Sequence, residues 1–143
     1  MKIHLGVSLV PFVLGAALLL GGCCGSKIAE CNKLIESINR NGQVITKALD
    51  KFSASKKTKA DAEELGKKLD TVGDEIKAIE LKDETLKSSA KEYHDMLDKL
   101  SKAAKDATAT DAKTQAKALE ELEQVTKTED TIVNKVNSYC GAK

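Results

Sequence analysis

The chain contains few of the residues that interrupt helices. Its only proline is Pro11, and it has no tryptophan and 3% aromatic residues. Proline ends helices because it lacks the backbone N–H donor, so no proline interrupts the chain after residue 11. Arg40 is the only arginine, and 23 basic residues balance 22 acidic ones. A nucleic-acid partner predicts a basic excess, so we expect none.

Recognisable catalytic and metal-binding patterns are missing as well. His94 is the only histidine after residue 4, and the residue three positions before it is Lys91, so the Glu-x-x-His pattern of di-iron bundles fails. The chain has no haem-attachment motif and no phosphate-binding loop. It also has no recognisable pairing of a nucleophile with a base. We therefore expect no enzymatic activity, no catalytic residues, no metal and no cofactor.

The N-terminus has the features of a secretory signal. Lys2 precedes the apolar run LGVSLVPFVLGAALLL, which ends at Leu20 and is followed by Gly21-Gly22-Cys23. This boundary resembles the bacterial lipobox, in which an aliphatic residue and two small residues precede a lipidated cysteine. The alternative is an uncleaved membrane anchor, but the run is near the lower length limit for spanning and contains Pro11.

The resemblance to bacterial lipoproteins implies a processed and anchored protein. It implies cleavage before Cys23, acylation of the Cys23 thiol and usually of its amine, and attachment to a membrane through that lipid. Cys24 is not aspartate, which by the same resemblance favours the outer membrane where the cell has one. The predicted division is a signal peptide over 1–22, a lipidated tether over 23–27 and one domain over 28–143.

The remaining sequence carries four apolar stripes with steps of three and four residues, which is the spacing of one helix face. Polar breaks at 53–59 and 107–110 and the pair Lys82-Asp83 separate them. The stripes predict an all-α fold, an antiparallel up-and-down four-helix bundle; the alternative is an elongated multi-chain coiled coil. Their members are Ile28, Cys31, Ile35, Ile38, Gly42, Ile45, Leu49 and Phe52; Ala62, Leu65, Leu69, Val72, Ile76 and Ile79; Leu86, Ala90, Tyr93, Leu97, Leu100, Ala104 and Ala107; and Ala112, Gln115, Leu119, Leu122, Val125, Glu129, Ile132, Val136 and Tyr139.

Local signals mark where these helices begin and end. Thr58 and Asp61 have the spacing of a capping box, and Thr108 repeats that spacing before Asp111. Asp83 is a predicted N-cap, and Gly141 is a predicted terminator. Asn41-Gly42 could break the first helix, but the apolar phase continues across it, so we expect one helix.

The cysteines follow from this topology. In an up-and-down bundle the start of the first helix and the end of the fourth lie at the same end, so Cys31 and Cys140 come together. Export to an oxidising compartment predicts a disulfide between them, the alternative being two separate buried thiols. Cys24 is left over, to remain free, to pair between molecules or to exchange with that bond.

Three features are candidates for contact with a partner. Gly66 and Gly73 stand one heptad apart beside the second stripe, where they indicate either close helix packing or a groove for a protein partner. Lys56 and Lys57 lie in the first interhelical break, as a solvated tip or a partner surface. Glu129 falls on an apolar stripe and requires a partner if buried; we expect a lysine from a neighbouring helix, the alternative being a contact with a ligand.

These features predict a lipid-anchored exported bundle that binds a protein partner or acts as a scaffold in the cell envelope. Its character is similar to that of small helical bacterial lipoproteins of uncharacterised role. Two alternatives are a small-molecule carrier with a cavity in the core and a cell-wall tether that uses Lys143, as murein lipoprotein does. The ending SYCGAK lacks the tyrosine-arginine-lysine terminus of that family, and the predicted topology puts Lys143 beside the membrane.

Overall fold

Four long helices make up the part of the chain that is described. The computed structural model describes residues 24–141, the side chains of residues 24, 25 and 126 excepted. Consecutive helices pack side by side and α4 returns to α1, so the predicted all-α up-and-down four-helix bundle is confirmed. The most extensive interface joins α2 and α3, and the least extensive between neighbouring helices joins α1 and α4. The elements are α1 (Cys24–Ala54), α2 (Lys59–Lys77), α3 (Glu84–Asp106) and α4 (Ala112–Cys140).

Side-chain caps explain where three of the helices begin. The Thr58 hydroxyl accepts the Asp61 N–H while the Asp61 carboxylate accepts the Thr58 N–H, which completes the predicted capping box of α2. Asp83 caps α3 as predicted. For α4 the cap is Asp111 itself and not Thr108, because its carboxylate accepts the Thr114 N–H directly.

The boundaries of α1 and α2 differ in detail from the prediction. Helix α1 begins at Cys24, so residues 24–27, which we assigned to a tether, are helical. It continues through Asn41 and Gly42 without a break, as expected. Helix α2 ends at Lys77, and the six residues 78–83 form a link in which Leu81 is buried. That link is longer than the Lys82-Asp83 pair predicted, because Leu81 must reach back to the core.

The core contains most of the predicted stripes of α1, α2 and α3, but Ile28 was wrongly assigned to it, since this first member of the α1 stripe is 58% exposed. Leu69, Ile76, Leu86, Leu97 and Leu100 are fully buried. Helix α4 departs from the prediction along its first half, where Leu119 is 43% exposed and Gln115 is exposed. Buried side chains on α4 include Ala118, Ile132 and Val136.

Candidate functional site

A disulfide joins the start of α1 to the end of α4 at one end of the bundle, as the topology predicted. Cys31 lies buried in the second turn of α1, and Cys140 is the last residue of α4. Their sulfurs are bonded, with the Cα atoms 5.8 Å apart. Gly141 then ends α4 with a left-handed φ of 70°, a conformation that glycine adopts without a Cβ penalty. We call this end, which also holds the start of α1 and the link 78–83, the proximal end.

Glu30 stabilises the proximal end through hydrogen bonds that were not predicted from the sequence. Its carboxylate accepts the backbone N–H groups of Lys82 at 2.6 Å and Asp83 at 2.9 Å, more than fifty residues away. These donors, that of Asp83 foremost, hold the pKa of Glu30 below its usual range. An acid in an early turn of a helix carries no sequence signal for a contact at that distance.

Asp83 is the second residue whose carboxylate stabilises the proximal end. Its carboxylate caps α3 by accepting the Thr85 and Leu86 N–H groups, and it also accepts the Tyr139 hydroxyl of α4 at 2.7 Å. The Tyr139 hydroxyl is the main reason that the pKa of Asp83 lies below its ordinary value. The Lys27 ammonium lies over the Tyr139 ring, 3.8 Å from its centroid. Contacts from α1, the link and α4 thus hold the proximal end together.

Glu129 has a partner, but it is not the lysine that we expected. Its Oε1 atom accepts the hydroxyl of Tyr93, which is fully buried on α3, at 2.9 Å. Burial raises the pKa of Glu129, and the pKa of Tyr93 is raised in turn by its own burial and by the neighbouring carboxylate. A neutral donor satisfies the hydrogen bond without bringing a second charge into the interface.

Gly66 and Gly73 are packed under α3 and do not line a groove. Both are buried. A Cβ at Gly66 would lie 3.0 Å from Ser101 Oγ, and one at Gly73 would lie 3.3 Å from His94 Cδ2. The prediction of a partner surface at these two residues is therefore wrong. Because glycine has no side chain, α2 and α3 can pack closely together here.

The far end of the bundle, which we call the distal end, carries the two candidate lysines and an open groove. Lys56 and Lys57 are exposed in the link 55–58, and Lys57 has a left-handed φ of 52°. Beside them α1 and α2 enclose a groove of about 270 Å³. We call it the distal groove; its lining is mainly apolar with a charged rim, and consists of Val44, Lys47, Ala48, Lys51, Phe52, Ser55, Asp61, Glu64, Leu65 and Lys68.

A second groove lies between α3 and α4. It has a volume of about 1020 Å³ and is open to solvent, with Met96, Val125 and Ile132 as its apolar residues. Its other residues are polar, and both signs of charge are present, including Lys99, Lys117 and Glu121. The two grooves are surface features, whereas a carrier of the kind considered above needs a cavity inside the core.

His94 lies in contact with α2 and close to two carboxylates of its own helix. Its Nδ1 atom is 3.4 Å from Asp98 Oδ2 and 3.7 Å from Asp95 Oδ1. The Glu-x-x-His pattern does not describe this cluster, so His94 was not among the predicted site residues. The signal that could have revealed it is the spacing of four between His94 and Asp98, which places both on one helix face.

Several predicted features lie outside the described residues. These are the signal peptide over 1–22, the lipidation site Cys23 and the terminal Lys143. Within residues 24–141, no helix has the length and apolar character needed to cross a membrane. Neither a family model, nor a curated protein, nor a solved structure shows a significant match to the chain.

Proposed function

We propose that the protein is an exported, lipid-anchored helical bundle that holds a protein partner at its distal end. The anchor is the acylated Cys23, and the partner's apolar side chains enter the distal groove between α1 and α2. The protein performs no catalysis in this account; it fixes a partner at a set distance from the envelope membrane, which by the lipobox resemblance is the outer one.

The observation that carries the proposal is the position of the distal groove relative to the residue that would hold the lipid. Helix α1 begins at Cys24, directly after Cys23, and Val44 lies twenty residues further along the same helix. At 1.5 Å per residue the groove starts about 30 Å from the membrane end. The proximal contacts made by Glu30 and the disulfide keep α1, the link and α4 together at the anchored end.

The surface chemistry of the distal groove suits a protein partner. Val44 is 40% exposed at the surface of the groove, whose floor is made by the buried side chains of Phe52 and Leu65. Charges of both signs stand at the rim, where Lys51 of α1 and Glu64 of α2 form an ion pair with each other, so a partner that uses either charge must compete with this pair. Apolar anchors that enter a pocket under a polar rim are the usual source of binding energy in such contacts.

The test compares two apolar residues of similar exposure. A photo-crosslinking residue at Val44 or at Leu119, which are 40% and 43% exposed, is introduced into the full chain in its own cells. We expect a discrete adduct from position 44 and none from position 119, since Leu119 does not line the distal groove. Val44→Asp should abolish co-purification of the adduct protein, while Leu119→Asp should retain it. Equal adducts from both positions, or equal effects of the two Asp variants, would contradict the proposal.

A further inference from the structure

The cluster of His94, Asp95 and Asp98 on α3 has the geometry of a metal site. One ligand atom from each residue lies within 4.8 Å of the other two. Zinc binds imidazole nitrogen and carboxylate oxygen at about 2.0–2.2 Å, so two ligands at a tetrahedral angle stand about 3.3–3.5 Å apart. The separation of 3.4 Å between His94 Nδ1 and Asp98 Oδ2 fits that edge, and Asp95 Oδ1 at 3.7 Å needs only a small shift.

We propose that His94, Asp95 and Asp98 bind a divalent zinc-type cation on the surface of α3. This site goes beyond the proposed function and does not depend on the lipid anchor or on the distal groove. An imidazole with two carboxylates is a donor set that suits zinc among the abundant cations, whereas magnesium and calcium prefer oxygen ligands alone. The three residues supply three ligands, which leaves the fourth tetrahedral position for water.

Two neighbouring residues hold the ligands in place before any metal arrives. The His94 ring lies against Gly73 of α2 on its Cδ2–Nε2 side, which directs Nδ1 toward the two acids. The His94 side chain is only 18% exposed, so packing limits its rotation. The Lys91 ammonium binds Asp95 Oδ2 at 2.6 Å, which leaves Asp95 Oδ1 on the His94 side. Such supporting contacts orient the ligands of metal sites.

Gly73 is a positioning residue for the proposed zinc site, because it packs against the His94 ring. A methyl group at this position would stand 3.3 Å from His94 Cδ2, which is tight enough that the ring or α2 must move. We therefore expect Gly73→Ala to weaken zinc binding although alanine contributes no charge and removes no ligand. A loss of about tenfold is the usual scale for disturbing a residue that supports a metal ligand.

The test uses the full chain carrying Cys23→Ser and Cys24→Ser, so that no free thiol binds zinc, and His4→Gln, so that His94 is its only histidine. Zinc chloride is titrated by calorimetry while the His94 imidazole resonances are followed by NMR. We expect one zinc per chain with a shift of those resonances. His94→Gln and Asp98→Asn should each weaken binding by more than tenfold, which exceeds the effect expected of Gly73→Ala.

The controls separate the site from general acidity and from loss of fold. Glu123→Gln removes an exposed carboxylate on α4 and should leave zinc affinity unchanged. Asp98 is 57% exposed, so Asp98→Asn should preserve the circular dichroism spectrum and the melting temperature without metal. The proposal is overturned if zinc in several-fold molar excess leaves the His94 resonances unmoved. It is equally overturned if the Asp98→Asn and Glu123→Gln variants bind zinc as the parent does.

Discussion

Glu129 makes the stability of this bundle depend on pH in an unusual direction for a carboxyl group. Its pKa is raised by burial, so the folded state holds the proton more tightly than the unfolded chain does. The stabilisation from this group is therefore fully present below the ordinary pKa of 4.5 and is lost as the pH rises through the raised value. Glu30 and Asp83, whose pKa values are lowered, act in the opposite direction, stabilising the fold above their ordinary pKa values.

Replacing Glu129 by Gln should remove this dependence. Glutamine keeps an oxygen that can accept the Tyr93 hydroxyl but does not ionise. In urea unfolding, the stability of Glu129→Gln relative to the parent should increase from about pH 4 to pH 7. The exposed Glu123→Gln variant serves as the control, and its stability should change with pH in the same way as that of the parent. A constant difference between Glu129→Gln and the parent across this range would refute the assignment.

Gly42 lies in the middle of α1 without a structural need for glycine. A Cβ there would meet only Glu129 Oε1, at an ordinary contact distance of 3.7 Å. Glycine in a helix interior costs about 0.5–1 kcal/mol relative to alanine, so Gly42→Ala should raise the free energy of unfolding by that amount. Chemical denaturation measures the gain, and a destabilised Gly42→Ala protein would show that α1 and α4 pack more closely here than described.

At the scale of elements, the link 78–83 depends on a side chain from another helix. The Glu30 carboxylate of α1 accepts the backbone N–H groups of Lys82 and Asp83 in this link. Glu30→Ala should therefore destabilise the protein clearly more than Ala at the exposed Glu36 of the same helix. Hydrogen exchange should show the added loss of protection at the amides of Lys82 and Asp83. Equal stability of the two alanine variants would contradict the role of Glu30.

The helices themselves were largely predictable, because spacing and capping act locally. The Thr58–Asp61 box and the Asp83 cap use residues within one turn of each other, so the sequence contains the whole interaction. The first half of α4 was not predictable in the same way. Leu119 has the correct phase for burial, yet it is exposed because burial also requires a neighbouring helix to come close. Periodicity specifies a face but not what covers it.

Contacts between distant parts of the chain were predicted only where topology demanded them. Helix order alone brought Cys31 and Cys140 together, since both lie at the same end of an up-and-down bundle. The partners of Glu30 and Glu129 depend on side-chain directions at helix crossings, which no spacing rule contains. The surroundings of Gly73 were ambiguous for the same reason, because close packing and an open groove have the same sequence pattern.

At the scale of the whole molecule, the disulfide closes almost the entire described chain into one loop. Its residues are separated by 109 positions, for which the chain-entropy model gives about 4–5 kcal/mol as an upper value. Reduction should lower the melting temperature markedly while most of the helical circular dichroism at room temperature remains, because the Glu30 and Tyr139 contacts do not involve sulfur. An unchanged melting temperature after complete reduction would show that the proximal end is held without the bond.

The most direct test of the account is the intact mass of the chain extracted from its own membranes and alkylated without reduction. We expect a chain that begins at Cys23, carries added acyl mass and has a single alkyl group, on Cys24, because the thiols of Cys31 and Cys140 are joined. The same sample after reduction should accept two more alkyl groups. A mass that corresponds to a chain with residues 1–22 and without acyl groups would contradict the proposal of a lipid-anchored binding module.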